Sequence, residues 1–353
     1  MSIIDFGMDV AVAAIRLLPP ETAHHLTVEL MARFGFFLPG PAKDDPRLKI
    51  QVLGMDFPNP LGVAAGFDKD ARAYQGMLKL GLGHVESGTV TPRPQPGNPQ
   101  PRMYRLPEDG AIINRMGFNN QGIEAAAARL ARRNPAKGIV AINIGANKDS
   151  ADRIADYRTG FLKLAPLADF VVANISSPNT PGLRGLQGKD ELQTLLAVLV
   201  EARGDGKKPI LLKIAPDLDL HALDDIAAVV LASGIDGLVV TNTTIDRPAG
   251  LKSRYAGESG GLSGKPLLAP STRVLAEMRR RVGTKLVLIG VGGVTTGADA
   301  YAKIRAGASL VQLYTALVFN GGGLIPKIKR DLLHCLERDG FATLAEAVGA
   351  DVR

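Results

Sequence analysis

VVANISSPNTPGLRG spans residues 171–185, and how it ends decides the fold. Its first six residues read as a β-strand entering a core. Ser-Ser-Pro-Asn-Thr-Pro cannot continue that strand, because neither Pro178 nor Pro181 has an amide proton to offer a neighbour. The same rhythm of apolar run, Gly- or Asn-rich loop and helical stretch recurs from residue 60 onward. The runs are LGVAAGF (61–67), HVESGTV (84–90), IVAINIG (139–145), DFVVANI (169–175), PILLKIA (209–215), DGLVVTN (236–242), KLVLIGV (285–291) and SLVQLYT (309–315). Between them lie segments such as ELQTLLAVLVEAR, with apolar residues every three or four positions. Eight βα units with near-continuous apolar strands imply parallel pairing with both faces covered. The expected fold is α/β, a (β/α)8 TIM barrel whose chemistry gathers at the C-terminal ends of the strands.

Composition narrows the function. With 353 residues and 46% apolar content, the chain can bury a large core as one barrel. The formal charge of +7 is not concentrated in a basic stretch with interleaved aromatics, and Trp is absent, so nucleic acid is not an expected partner. A single cysteine, Cys335, excludes an internal disulfide framework and a Cys-based metal cage. It lies in the helical pattern LIPKIKRDLLHCLER and is expected in the core, and no metal is expected. Met1 is followed by no basic and apolar leader, and the longest apolar runs fall short of the roughly 20 residues that span a bilayer. The expected location is the cytoplasmic side.

The strand-end rule turns the loop residues into candidates: Asp68 and Lys69, Thr89, Asn143, Asn174, Lys213, Thr241 and Asn242, Gly292 and Gly293, Tyr314 and Thr315. A lone strand-end Asn is ordinarily a cap or turn residue. Polar groups at nearly all eight ends exceed what capping requires. Residues 91–121 and 243–268, rich in Pro and Gly, are expected as long ordered excursions over the barrel mouth.

Ahead of the barrel, Pro19 and Pro20 divide residues 6–40 into two short helices. The second starts around Pro20 and Glu21 and shows Leu26, Leu30, Phe34 and Phe37 on one stripe. Such a pair of helices either packs on the barrel or lies in a membrane interface. Asp5, Asp9, Glu21 and Glu29 outweigh Arg16 and Arg33, so apolar burial rather than attraction to anionic lipid would drive docking.

The strand ends suit a flavin mononucleotide. GVGG (290–293), YTAL (314–317) and GGLSG (260–264) offer backbone amides to a phosphate. Lys213 places a positive charge beside a ring that gains negative charge on reduction. Ala64, Ala65 and Gly66 leave room for a flat ring, and Asn143 and Thr89 can bond its polar edge. Asn114, Asn174, Asn179 and Asn242 each carry donor and acceptor on one amide, which suits a planar cyclic amide or imide. Lys69 then answers a substrate carboxylate.

AAGFDKDA, ESGTVTPRPQPGNPQPR, INRMGFNN, INIGANK, NISSPNTPGLR, KIAPDL, VTNTT, GGLSGKPL, IGVGGV and LVQLYTAL, in this order, are similar to dihydroorotate dehydrogenase over essentially the whole chain. Ser in NISSPNT together with the amino-terminal extension resembles the membrane-associated, quinone-linked class 2 branch. Class 1 enzymes would carry Cys as base. The resemblance implies oxidation of dihydroorotate to orotate in pyrimidine biosynthesis, with a proton lost from C5, hydride leaving C6 for FMN, and electrons passing to a membrane quinone.

It makes Ser177 the catalytic base, with Thr180 and Phe118 shaping the proton's exit. Ser176 is expected to point away, since adjacent strand residues face opposite sides. Flavin contacts are implied for Ala65, Gly66, Phe67, Asp68, Lys69, Thr89, Asn143, Asn174, Lys213, Thr241, Gly264, Gly293, Tyr314 and Thr315. Substrate contacts are implied for Lys69, Asn114, Arg115, Met116, Gly117, Phe118, Asn174, Asn179, Asn242 and Thr243. Residues 1–41 are then an amphipathic hairpin forming a quinone tunnel and peripheral membrane contact on the cytoplasmic face, with His24 and Arg105 at the quinone. Residues 42–353 are the catalytic barrel. Arg279 is expected where relatives carry Tyr beside the quinone.

Two other readings stay open from the residues alone. One is a flavin barrel acting on another dihydropyrimidine, and the other is a flavin-free phosphate-binding lyase or isomerase.

Overall fold

The computed structural model describes residues 13–352. Eight parallel strands close into a barrel in sequence order: β1 (Leu61–Val63), β2 (His84–Val90), β3 (Ile139–Ile144), β4 (Phe170–Asn174), β5 (Ile210–Ile214), β6 (Gly237–Val240), β7 (Val287–Val291) and β8 (Leu310–Leu313). All eight expected strands are present, in register with both neighbours. Every residue of β1, β2, β4, β5, β6 and β8 is buried, because helices cover the outside and side chains fill the inside. Cys335 is buried in the helix Leu324–Asp339.

Only β2 keeps its full expected length, and the early ends of β1 and β8 have visible causes. β1 ends at Val63 because the chain turns at Gly66, where φ is +102°. β8 ends at Leu313 because Thr315 begins the helix Thr315–Asn320.

The two insertions meet as one structure over the mouth. Met103–Leu106 and Ala111–Asn114 form a hairpin from the first, and Gly261–Gly264 from the second pairs antiparallel with its inner strand. Leu106, Ala111, Ile113 and Leu262 give this roof a small core of its own. It carries Asn114 to the barrel mouth.

The second helix of the expected hairpin runs Pro20–Phe34 with proline in its first turn, followed by a 3-10 turn Gly35–Phe37. Residues 1–12, most of the first expected helix, lie outside the described residues. Pro20–Phe34 docks on the helix Tyr74–Lys79 through glycines: a Cβ on Gly35 would sit 2.5 Å from the Cα of Gly76. Arg102 grips Glu21, and Arg72 grips Glu29. Leu26, Leu30, Phe34 and Phe37 are exposed as expected, and so are Leu17 and Phe36.

The barrel interior is less apolar than its strands suggest. His84 and Glu86, two residues apart on β2 and so on one face, are fully buried, as is Gln312 of β8. The His84 ring stacks edge-on against Phe57, 5.6 Å between centroids. Burial pushes its imidazole down to about 3, and its Nδ1 has no partner among the described residues. An unfolded histidine takes up its proton near 6.5. Between about 3 and 6.5 the unfolded chain therefore binds more protons, and stability falls as pH falls. We predict that this residue alone contributes a slope approaching ~1.4 kcal/mol per pH unit across that window. Urea unfolding of wild type and His84→Leu at pH 7 and pH 4 measures it. The stability gap between them should shrink at pH 4, and an unchanged gap refutes it.

Candidate active site

One cavity of about 360 Å³ lies at the C-terminal ends of the strands and extends beneath the helix Pro20–Phe34. Its floor is β1 and its continuation, where Ala64, Ala65, Gly66 and Phe67 line a flat wall. Lys69 follows, with its Nζ donating to Gly66 O at 2.8 Å. Burial pushes the Lys69 ammonium down to about 8, because its accessible surface faces the cavity rather than bulk water. Lys213, from β5, lines the opposite wall and is buried, and among the described residues no carboxylate pairs with it.

One end of the cavity is a cradle of backbone. Gly292 and Gly293 after β7, Tyr314 and Thr315 after β8, and Gly264 of the roof converge there. Gly293 must be glycine: its φ is +79°, and a Cβ would sit 2.3 Å from Leu268 N. Gly264, with φ +96°, is equally confined, since a Cβ would meet Gly110 O at 2.3 Å. Thr315 Oγ1 donates to Ser263 Oγ at 2.8 Å, tying barrel to roof at this point. Thr241 lines the wall between cradle and floor.

The other polar side is built of amides. Asn114, Met116, Gly117 and Phe118 come down from the roof hairpin and the loop after it. Asn174, Ser177 and Asn179 come from the end of β4, and Asn242 and Thr243 from that of β6. Ser177 presents its hydroxyl here, with Oγ accepting from Asn179 N at 3.2 Å. Ser176 is turned away as alternation requires, donating to Asn174 Oδ1 at 3.0 Å. Thr180 Oγ1 is buried with no partner among the described residues.

Four expected contacts have side chains outside the cavity wall. Asp68 faces the protein and accepts from the amides of Arg72 and Ala73 at 2.7 and 2.9 Å, shaping the turn after β1. Arg115 points outward to Glu258 at 2.8 Å and lies over the Tyr104 ring. Asn143 lies one layer behind Thr89, accepting from its hydroxyl at 2.5 Å. Thr180 is buried behind the wall formed by Ser177 and Asn179.

The remaining arm is apolar and runs under the amino-terminal helix, between Ala23, Thr27 and Met31 on one side and Met77, Leu80 and Leu317 on the other. His24 stands where the two arms join, 3.3 Å from Tyr314 Oη and edge-on to Phe67. Burial, with Lys69 nearby, holds its imidazole well below the ordinary value, so it is neutral. Arg105 lines the mouth and donates to the carbonyls of Arg16 and Leu18. Arg279 is a correction: it lies on the helix Leu268–Val282, bonded to Gly283 O at 2.9 Å, away from the cavity. The aromatic group beside His24 is Tyr314. Sequence reasoning also passed over Gln312, a cavity residue whose polar side chain inside LVQL was its only signal.

A family model described as dihydroorotate dehydrogenase matches residues 47–336. The chain belongs to the dihydroorotate dehydrogenase family. Relatives named dihydroorotate dehydrogenase (quinone) are similar over nearly their full lengths. That of Parvibaculum lavamentivorans is 55% identical, covering 95% of this chain and 96% of its own. That of Xanthobacter autotrophicus is 52% identical, covering 96% and 97%. Among solved structures, ligand-free dihydroorotate dehydrogenase of Eimeria tenella superposes with a TM-score of 0.90 at 40% identity, covering 95% of this chain and 100% of that one. The same enzyme in complex with ferulenol gives 0.89. As a dihydroorotate dehydrogenase family member, the chain is expected to use a flavin, since flavin dependence is general there.

Proposed function

We propose that the chain oxidises dihydroorotate to orotate in pyrimidine biosynthesis, using FMN, and passes the electrons to a membrane quinone. The observation that carries this reading is the single cavity that joins a polar, amide-walled end to an apolar arm under an exposed amphipathic helix. FMN, when bound, supplies the hydride acceptor. The Gly264, Gly293 and Thr315 cradle suits its phosphate, the Ala64–Phe67 wall its ring, and the Lys213 ammonium the negative charge that develops at the ring's edge. Thr89, Asn174, Thr241 and Tyr314 complete the cofactor contacts.

The substrate's flat amide edge meets Asn114, Asn174, Asn179 and Asn242, and its carboxylate meets Lys69. Ser177 Oγ takes the proton from C5 as its own hydroxyl proton passes toward Thr180 and on to solvent water, along a route that Phe118 helps to shape. The apolar arm admits the quinone, with His24 and Arg105 at its head. Residues 1–41 serve as the docking and tunnel segment and residues 42–353 as the catalytic barrel. Phe36 and Phe37, 71% and 77% exposed, would bury themselves in the cytoplasmic face of the membrane. No helix among the described residues is long and apolar enough to cross it.

The test is anaerobic addition of dihydroorotate to purified protein, followed by a short-chain quinone. Flavin colour should bleach and then return. No bleaching refutes the substrate, and bleaching without recovery refutes the acceptor.

Lys69 gives a second prediction. Burial holds its ammonium down to about 8. A substrate carboxylate needs it charged, so kcat/KM for dihydroorotate should be flat below that pH and fall about tenfold per unit above it. Lys69→Gln should abolish the inflection. An inflection that persists in this variant assigns it to another group.

A further inference from the structure

The chemistry above uses neither Glu86 nor Asn143, yet both are fully buried inside the barrel and connected to its mouth. Glu86 Oε2 accepts from Gln312 Nε2 at 2.7 Å, and Oε1 accepts from Asn143 Nδ2 at 2.6 Å. From there a head-to-tail series runs outward. Asn143 Oδ1 accepts from Thr89 Oγ1 at 2.5 Å, and Thr89 Oγ1 accepts from Asn174 Nδ2 at 2.9 Å. Asn174 Oδ1 accepts from Asn242 Nδ2 at 3.3 Å, a link bridged by Ser176, and Asn242 Oδ1 accepts from the Thr243 amide at 2.8 Å. Thr89, Asn174, Asn242, Thr243 and Gln312 line the cavity, whereas Glu86 and Asn143 do not.

The two ends of this series cannot reverse. A backbone N–H only donates and a carboxylate only accepts. Turning over any amide between them sets like groups face to face and forfeits the pairing. Burying a carboxylate is costly, and a glutamine of nearly the same shape would avoid the charge. Glutamine, however, would bring an NH2 against the NH2 of Asn143, or, turned the other way, against that of Gln312, which could answer only by turning over and leaving its own NH2 where its Oε1 now has no partner among the described residues.

The structure assigns to Glu86 the role of a positioning residue that fixes which side of the Asn174 and Asn242 amides donates and which accepts, and thereby their match to a planar ligand whose edge alternates the two. This rests on the reading of the cavity as the orotate and flavin site.

The experiment measures orotate affinity, by the shift it induces in flavin absorbance, in three full-length proteins. Glu86→Gln should weaken orotate about tenfold or more, the cost of one unmatched buried group. The double variant Glu86→Gln, Asn143→Asp moves the carboxylate one station along. The new amide at 86 donates to the new carboxylate at 143, which still accepts from Thr89, while Gln312 still donates to position 86. Orotate affinity should return to within about threefold of wild type.

A merely structural role predicts the opposite order, with two changes worse than one. Wild-type affinity in the single variant overturns the assignment, and so does a double variant that binds no better than the single. If the single variant fails to fold, the double must fold and bind, and its failure also overturns it. Absence of orotate binding in the wild type would instead sink the reading of the site.

Discussion

Replacing Ser177 by Ala slows anaerobic flavin bleaching by dihydroorotate about 10²- to 10⁴-fold, the usual worth of a positioned acid–base group, while orotate affinity stays within a few-fold. The hydroxyl has the required place. It lines the cavity between Asn179 and Asn174, and one lone pair is already engaged by the Asn179 amide. A serine oxygen is a weak base, so the proton must leave as it arrives. Thr180 lies three residues on, with a buried hydroxyl that has no partner among the described residues, which is where an exit path needs one. Ser176 serves as the internal control: its hydroxyl donates to Asn174 and does not face the cavity, so Ser176→Ala should leave the bleaching rate far closer to wild type. Stopped-flow absorbance near 450 nm, on the order expected for a flavin, reads the rate. Bleaching of Ser177→Ala at the wild-type rate would remove the residue from the mechanism.

The barrel was legible because strand and helix periods alternate eight times, and a parallel strand has only one way to bury both faces. The rule of strand ends then found most of the cavity wall, including Lys69, Asn174, Lys213 and Gly293. Its failures have one cause. It names positions near the mouth but not the depth or direction of a side chain. Asp68 and Asn143 sit at the proper ends and turn inward to shape a loop or support Thr89, while Arg115, which the resemblance and not this rule named, turns out to Glu258. Glu86 and Gln312 were missed for the complementary reason. They lie mid-strand, where a polar residue reads as noise in an apolar run, and only the closed barrel brings β2, β3 and β8 to one point. The roof was hidden too, because its third strand is some 150 residues away in sequence from the hairpin it completes. Pairing at that separation leaves no local pattern.

Glu21→Ala should separate the two half-reactions. Glu21 opens the helix Pro20–Phe34 and is gripped by Arg102, whose Nε and Nη2 lie 3.0 and 2.7 Å from Oε1. Burial pushes the Glu21 carboxyl up, but the hydrogen bonds and charge of Arg102 outweigh it and hold it below the usual range. With only 9% and 13% of the two side chains exposed, breaking the pair costs about 3 to 5 kcal/mol, part of it from a guanidinium left with only the Pro96 and Asn98 carbonyls. At the lower figure the docked helix loses about 10²-fold in population relative to the undocked one. Arg72 with Glu29, the Gly35–Gly76 crossing, His24 against Tyr314 and buried Ala23 and Val28 are then left to hold it. Ala23, His24 and Thr27, which wall the apolar arm, leave with the helix, whereas Ser177, Lys213 and the amides belong to barrel and roof and remain. Recovery of flavin colour by a short-chain quinone should therefore slow by up to about 10²-fold, with anaerobic bleaching by dihydroorotate within a few-fold of wild type. Glu21→Gln, which keeps an acceptor for Arg102, should fall between. If both half-reactions decline together, the helix belongs to the substrate site rather than to the acceptor's path.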